Sequence, residues 1–549
     1  MLGPKRALTT VFAVVVPLAL LALWGAMLEA KGPYWLGGNL DPDYAYLLNG
    51  LNILKGFTPG HVDHPGTPVQ VVVAIVIKAT HALAGAGPLV DDVIRRPELY
   101  LRVSCWVMLV LFATALVAAG LAAAQTTGSV LATLAMQLLP GLSSVIAVHI
   151  LCVKPEPLLA ALATALAALV MRRLDPRRAP RPLFDAAGFG IIVGLAVASK
   201  ITAVPLVLLP LLLLRNNADR ARFLSSAAIT TALATIPAWP ALSIFRGLMR
   251  QIVTHSGTYG KGPPSVFDPA EYAHGLASLA AETGPIMIPL AVTAGVVASA
   301  LSFRIWRQDE AAEEDLHVRN TLLATIVTQL AAFLFVARHW GAHYLIPALA
   351  LSGLTAALAI HAVLRWVGAT QAGRRIVAGV IGAALSIAVY REGRDIAAHR
   401  DWLLSLRERQ LAIVTRLQRD FHGARVVQYY RSSSPASALN FGNGYANHRW
   451  AAWICALFPA ELFYNRWDGR LEVCRDSGGK ETSVYNVDRI PMNLEAWCLP
   501  ESGGTITTVL QGSPLQGLPS TLDHITRLRD QLQLIYDSGV EALYGVRCR

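Results

Sequence analysis

Long apolar runs recur along this 549-residue chain with little between them except short polar joints. They fall at about 8–28, 100–122, 128–151, 157–171, 185–199, 201–214, 222–242, 285–303, 320–337, 344–364 and 376–390. A helix needs about 20 apolar residues to cross a bilayer, so the pattern predicts a polytopic α-helical membrane protein with about eleven spans. Only 15% of the residues are charged, against about 25% in a soluble domain. The net charge of +11 does not indicate nucleic acid, because the arginines cluster in the joints, as cytoplasmic loops do under the positive-inside rule. The first run resembles a signal peptide, but it is nearer a spanning length and ends in no A-x-A site. It reads as a retained span with Lys5 and Arg6 inside.

Parity decides a twelfth run, Val69 to Ala86. The joint from Met171 to Pro182 carries five arginines against one aspartate and belongs on the cytoplasmic side. That requires Val69–Ala86 to lie in the interface as a juxtamembrane or re-entrant helix. Runs 185–199 and 201–214 could form one long helix, but Arg215–Arg222 and Arg374-Arg375 would then face outward. Two short spans meeting at Lys200 are expected instead. The outer face then holds a first loop over 30–99, the Lys154–Pro157 turn, Lys200, a long loop from about Ser243 to Gly284, the Ala337–His343 turn and everything after Tyr390. The chain divides accordingly into a membrane module (1–390) and a soluble periplasmic α/β domain (391–549). Within the latter, RERQLAIVTRLQRDFHGARVVQYY suggests a helix then a strand, and SVYNV and TITTVL read as further short strands. Cys455, Cys474, Cys498 and Cys548 all fall there and permit two disulfides in three pairings if that side is oxidising. Cys105 and Cys152 lie in apolar runs and read as small hydrophobes.

The first outer loop concentrates chemistry. GGNLDPDYAYLLNGLNILKGFTPGHVDHPGTP, Gly37 to Pro68, holds Asp41, Asp43, His61, Asp63 and His64. Asp41 reads as a helix N-cap with Pro42 at the first helical position. Tyr44, Leu47, Leu48, Leu51 and Leu54 recur at helical spacing, and Lys55-Gly56 ends the helix. The expectation is a short amphipathic interfacial helix with acids at its entrance. His61, Asp63 and His64 could ligate a divalent metal, Mg or Mn; the alternative is a loop whose polar groups satisfy one another.

Ionisable groups at membrane depth cost roughly 3 kcal/mol each or more, so they usually serve a site or a pairing. Glu156 opens the fourth span inside KPEP, and Lys200 ends GIIVGLAVASK. A pair with Lys154 would account for Glu156 structurally, and snorkelling to headgroups would account for Lys200. The outer loops add His255, Tyr259, Lys261, Arg338, His339, His343 and Tyr344. Transfer from a lipid-linked phosphate donor fits such a set. A carboxylate accepts the proton of an attacking hydroxyl, and cations stabilise the departing phosphate.

The same residues resemble the GT-C superfamily of membrane glycosyltransferases, which includes protein O-mannosyltransferases and lipid A aminoarabinose transferases. LDPDYAYLLNGLNILKG is similar to that superfamily's first-loop acidic pair and helix. DHPGTPVQ resembles its His/Lys-Pro-Pro segment, with Gly66 in place of the second proline. KPEP, GLAVASK and HYLIPALAL follow in the matching order, over about residues 8–365. The resemblance implies that Asp41 or Asp43 is the catalytic base; the intervening Pro42 departs from the usual adjacent acids. It further implies Glu156 as the second acid and Lys200 at the donor phosphate, with Arg338, His343 and Tyr344 as donor-phosphate candidates. His61, Asp63, His64, Lys154, His255, Tyr259 and Lys261 would line the substrate pocket.

The implied protein sits in a bacterial inner membrane, with its site and tail in the periplasm. It would take a polyprenyl-phosphate-linked sugar donor and a periplasmic acceptor, a glycolipid, glycan or protein, and invert the anomeric centre. The tail is a reasonable place for acceptor recognition. A transporter or flippase of lipid-linked sugars is the rival, but no ionisable chain crosses the midplane and no inverted repeat is evident. A catalytically silent scaffold of the same fold is a third reading.

Overall fold

The computed structural model describes residues 4–63, 66–178, 181–306, 312–366, 371–422, 424–458, 462–465, 470–476, 485–491, 508–516 and 532–546. In chain order the helices are α1 (Pro4–Lys31), α2 (Asp43–Leu54), α3 (Thr67–Ala84), α4 (Leu89–Arg95), α5 (Pro97–Thr127), α6 (Val130–Leu142), α7 (Ser144–His149), α8 (Pro155–Arg173) and α9 (Pro182–Ser199). A 3₁₀ segment, Ile201–Val207, leads to α10 (Leu208–Leu213), α11 (Asn217–Ala234), α12 (Leu242–Thr254), α13 (Pro269–Trp306), α14 (Ala312–Val336), α15 (Ile346–Ala350), α16 (Ser352–Trp366) and α17 (Gln371–Asp420). The tail adds β1 (Arg425–Gln428), α18 (Pro435–Tyr445), α19 (Ala451–Leu457), β2 (Leu462–Asn465), β3 (Arg470–Asp476), β4 (Tyr485–Pro491), β5 (Thr508–Gly512), β6 (Leu532–Asp537) and β7 (Ala542–Val546).

This is a multi-pass membrane protein. Among the described residues nine helices are long and apolar enough to cross a bilayer, or ten if α11 and the segment Ile236–Thr254, bent by 71°, form one broken span. The expected count of about eleven included 128–151 and 201–214, which are shorter than a span. α6 has 13 residues, about 20 Å at 1.5 Å per residue, and the chain turns at Ser143 just after Pro140. The second run breaks into the 3₁₀ segment and α10, with Pro205 and Pro210 inside it. Residues 67–84 form one continuous helix that also meets the length criterion.

The chain forms two compact units. The first comprises Met1–Ala26, Val62–Val69 and Cys105–Ala398, and the second Met27–His61, Gln70–Ser104 and His399–Arg549. In the first unit small residues let helices approach closely. Gly190 and Gly194, a G-x-x-x-G pair on α9, face α11. A Cβ on Gly190 would lie 2.6 Å from the Phe223 carbonyl oxygen, and one on Gly194 2.6 Å from that of Ala227. The buried amide of Gln137 donates to the Ala13 carbonyl at 2.8 Å and to that of Leu116 at 3.0 Å, tying α1, α5 and α6. Trp24 stacks on Phe112 with centroids 5.0 Å apart.

The second unit contains a seven-stranded sheet in the order β4-β3-β2-β1-β5-β7-β6. β1 runs parallel to β2 and β5, and the remaining pairs are antiparallel. The helix-then-strand expectation matches α17 and β1, while SVYNV and TITTVL contribute to β4 and β5. α17 is unbroken over 50 residues, and its Ile413 packs with Val509 and Leu543 into the sheet's core. Cys455 is disulfide-bonded; the side chains of Cys474, Cys498 and Cys548 lie outside the described residues. Cys105 is buried, with its Sγ donating to the Ile150 carbonyl at 3.7 Å, and Cys152 is half-buried.

Candidate functional site

α2 and the loop before it belong to the second unit. The helix begins at Asp43, later than expected, and Asp41 does not cap it. Pro42 occupies the cap position, with its carbonyl accepting from the N–H groups of Ala45 and Tyr46, and no side-chain cap forms. Nor does α2 present a polar face, since every residue from Asp43 to Asn52 is buried. The polar groups that suggested solvent turn to the tail instead. Asn49 Nδ2 donates to the Tyr445 carbonyl at 3.0 Å, and Trp450 Nε1 to that of Leu48 at 3.3 Å. The two aspartates differ sharply. Asp43 is fully buried and faces the equally buried Lys31 at 3.5 Å, whereas Asp41 is exposed.

Glu98, in the first turn of α5, organises this loop. Its carboxylate accepts from the backbone N–H of Tyr34 at 2.8 Å, that of Trp35 at 3.2 Å and the Tyr44 hydroxyl at 2.7 Å. Sequence reasoning missed Glu98, although Pro97-Glu98 repeats the Pro155-Glu156 pattern: proline at the start of a helix, then an acid where the dipole favours it. His61 lies between the rings of Tyr46 and Tyr445, each edge-on with centroids 5.2 Å away.

A second concentration of charge lies in the first unit. The chain breaks at Lys200, whose backbone is extended between α9 and the 3₁₀ segment, as the meeting of two short segments required. Pro155 starts α8 and places Glu156 in its first turn. These two breaks bring Lys200 Nζ to 2.5 Å from Glu156 Oε1, with both side chains buried. Among the described residues Oε2 of Glu156 has no hydrogen-bond partner. Lys154 does not pair with Glu156; its Nζ lies 2.6 Å from Nδ1 of His149. His149 packs on His343 with ring centroids 4.9 Å apart, and His343 on Tyr344 at 4.1 Å. Lys200 Nζ lies 4.6 Å from the Tyr344 ring centroid, within cation–π range. The Tyr344 hydroxyl meets that of Tyr259 at 3.3 Å. Sequence reasoning also missed His149, which nothing in its local pattern distinguishes from a core histidine.

Lys200, Tyr344, Tyr259, Asp63, Arg338 and His339 line a cavity of about 260 Å³ together with apolar side chains of α12 and α14, Met249, Ile252 and Phe335 among them. Tyr259 holds a left-handed backbone (φ 55°) between Gly257 and Gly260, a conformation non-glycine residues rarely adopt. Arg338 Nη2 donates to the carbonyls of Val253 at 2.7 Å, Ser265 at 3.1 Å and His255 at 3.3 Å, so this arm of the guanidinium fastens both strands of the Tyr259 loop. His339 Nε2 contacts the Ile252 carbonyl at 3.2 Å. His255 Nδ1 meets the Thr254 hydroxyl at 2.9 Å, and Lys261 is exposed on the loop. The structure therefore gathers Glu156, Lys200, Lys154, His343, Tyr344 and Tyr259, while His255 and Lys261 stay on the surrounding loop.

Among the described residues no group of three His, Cys, Asp or Glu side chains could hold a metal ion. Of the sequence-derived metal set, His64 lies outside the described residues.

No protein-family model matches the chain, and no curated protein does. Among solved structures the chain is similar to the crystal structure of ArnT from Cupriavidus metallidurans bound to undecaprenyl phosphate, at 13% identity and a TM-score of 0.43, covering 97% of each chain. It is likewise similar to the same protein in the apo state, at 13% identity and a TM-score of 0.44, again over 97% of each.

Proposed function

We propose that this protein transfers a sugar from a polyprenyl-phosphate donor to an acceptor hydroxyl. One observation carries the reading. Glu156 and Lys200 form a buried ion pair whose second carboxylate oxygen has no hydrogen-bond partner among the described residues, and Lys200 lines a largely apolar cavity together with Arg338. A buried charge pair is costly to maintain for structure alone, and with Lys154 the cluster holds two ammonium groups against one carboxylate. That surplus suits a phosphate, the open oxygen suits a hydroxyl of acceptor or sugar, and the apolar walls suit a prenyl chain.

In the reaction the acceptor oxygen attacks the sugar's anomeric carbon, whose bond to the phosphate oxygen breaks. The acceptor proton passes to a carboxylate, and the polyprenyl phosphate leaves as an anion stabilised by Lys200 and Lys154. Direct displacement inverts the anomeric centre. Asp41 is the better base of the first-loop pair, because it is exposed whereas Asp43 is buried against Lys31. Arg338 serves the donor end chiefly by holding the Tyr259 loop.

We place the protein in a bacterial inner membrane with this site and the tail in the periplasm. The arginine-rich joints support that orientation, and so does the disulfide at Cys455, a bond typical of oxidising compartments. Mass spectrometry of envelope glycolipids and glycoproteins, with and without the gene, tests the function and identifies sugar and acceptor. An unchanged glycan profile, together with no release of undecaprenyl phosphate from its sugar conjugates by the purified protein, refutes it. Labelling of Asp41→Cys and Arg177→Cys with a membrane-impermeant maleimide tests the topology, which requires the first to react from outside and the second not to.

A further inference from the structure

The residues on either side of the first loop's aspartates are both gripped by the C-terminal sequence. Before them, the Gly37 N–H donates to Ser433 Oγ at 3.0 Å. The Arg431 carbonyl oxygen stands 2.1 Å from where a Cβ on Gly37 would be, so the backbones are in direct contact. After them, a Cβ on Gly442 of α18 would lie 2.6 Å from the Tyr44 carbonyl oxygen, and Trp450 holds Leu48 as described. Between Lys31 and Asp43 the chain has no helix or strand. Its own bonds include the Asn39 N–H to the Leu36 carbonyl at 2.7 Å and Asn39 Nδ2 to the carbonyls of Lys31 and Pro33, both at 3.1 Å, and Glu98 holds its Tyr34 and Trp35 end.

Ser433 is itself rigidly held. Its N–H donates to Glu541 Oε1 at 2.9 Å, and its carbonyl accepts from Gln511 Nε2 at 3.2 Å. Gln511 Nε2 also donates to Glu541 Oε1 at 2.7 Å, and the neighbouring Ser432 hydroxyl donates to the Gln511 carbonyl at 2.6 Å. Strand β5 and Glu541, just before β7, thus brace the loop after β1, and that loop braces Gly37. A general base must be held to a fraction of an ångström, and a displacement of about 1 Å can cost roughly 100-fold in rate.

We propose that the C-terminal domain is a working part of the catalytic loop, with Ser433 and Gly442 as positioning residues that set where Asp41 stands. The proposal rests on Asp41 being the base.

The test uses the full-length protein in nanodiscs. Ser433→Ala removes the acceptor for the Gly37 N–H, and Ser433→Thr retains it. Hydrogen exchange over residues 33–42 should accelerate about tenfold in Ser433→Ala, as for the loss of one buried hydrogen bond, and return towards wild type in Ser433→Thr. With undecaprenyl-phosphate hexose or pentose as donor, kcat should fall roughly 10- to 100-fold in Ser433→Ala and Gly442→Ala, with KM for the donor unchanged. Unchanged exchange in both alanine variants overturns the proposal. So does faster exchange with full kcat, or a loss in Ser433→Thr equal to that in Ser433→Ala. If the wild type turns over no such donor, the transfer reading fails by itself, and the exchange measurement still decides whether the tail restrains the loop.

Discussion

Lys200 and Glu156 sit 44 residues apart in sequence and 2.5 Å apart in space, each delivered by a break in an apolar helix. Removing one partner leaves the other's charge buried, at a cost of about 3–5 kcal/mol, while a well-packed apolar replacement of both can be nearly neutral. Glu156→Gln and Lys200→Met should therefore each lower the melting temperature more than the double variant does, and all three should lose transfer. Additive losses of stability in a double-mutant cycle would show that the pair is not coupled.

Asp41 and Asp43 should separate by phenotype. Asp41→Asn changes an exposed residue, so stability should hold while turnover falls roughly 10²- to 10⁴-fold, the usual scale of general-base catalysis. Asp43→Asn withdraws the carboxylate facing Lys31 and should cost a few kcal/mol of stability. Melting curves and initial rates on the same preparations check both. Full turnover in a folded Asp41→Asn protein would remove it as the base.

Arg338 offers a distinction between binding and scaffolding. Lysine keeps the charge, but its flexible ammonium does not reproduce the planar, fixed Nη2 group that donates to the carbonyls of Val253 and Ser265. Arg338→Lys should therefore increase hydrogen exchange and proteolysis over residues 253–265 and raise KM for the donor. A wild-type exchange pattern there would return Arg338 to a plain phosphate-binding role.

The tail should be sensitive to pH near neutrality. Burial pushes the Glu541 carboxyl from its ordinary 4.5 up to about 7, against the opposing effect of hydrogen bonds from Ser433 and Gln511. The folded state thus holds this proton more tightly than the unfolded chain does. The resulting stability is fully present below about pH 4 and is lost as pH rises through 7, a change of about 3 kcal/mol. Tyr429, Tyr544 and Asp537 are the other titratable groups of this corner. Denaturation of the tail followed between pH 5 and pH 8 should show the decline, and Glu541→Gln should flatten it.

What the sequence disclosed depended on whether the signal was local. Lys200 stood out because an ammonium inside an apolar run has few reasons to be there. Glu156 stood out because prolines bracketed it. The two groups could not be paired from sequence, and the nearer lysine, Lys154, was the obvious partner although it goes to His149. For α2 the periodicity located the helix but not its surroundings. Asn49 and Asn52 look like a solvent face until residues some 400 positions later supply their acceptors. Glu98 and Ser433 were hidden for the same reason, since each acts on backbone N–H groups far away in sequence.

α17 runs without interruption for 50 residues, about 75 Å at 1.5 Å per residue, more than twice the hydrocarbon thickness of a bilayer. Its second half seats Ile413 against Val509 and Leu543 in the sheet's core. A protease cut beside Ile413 would expose four carbonyls lacking helical partners and loosen the cover over Val509 and Leu543. The sheet should be produced only with the second half of this helix attached.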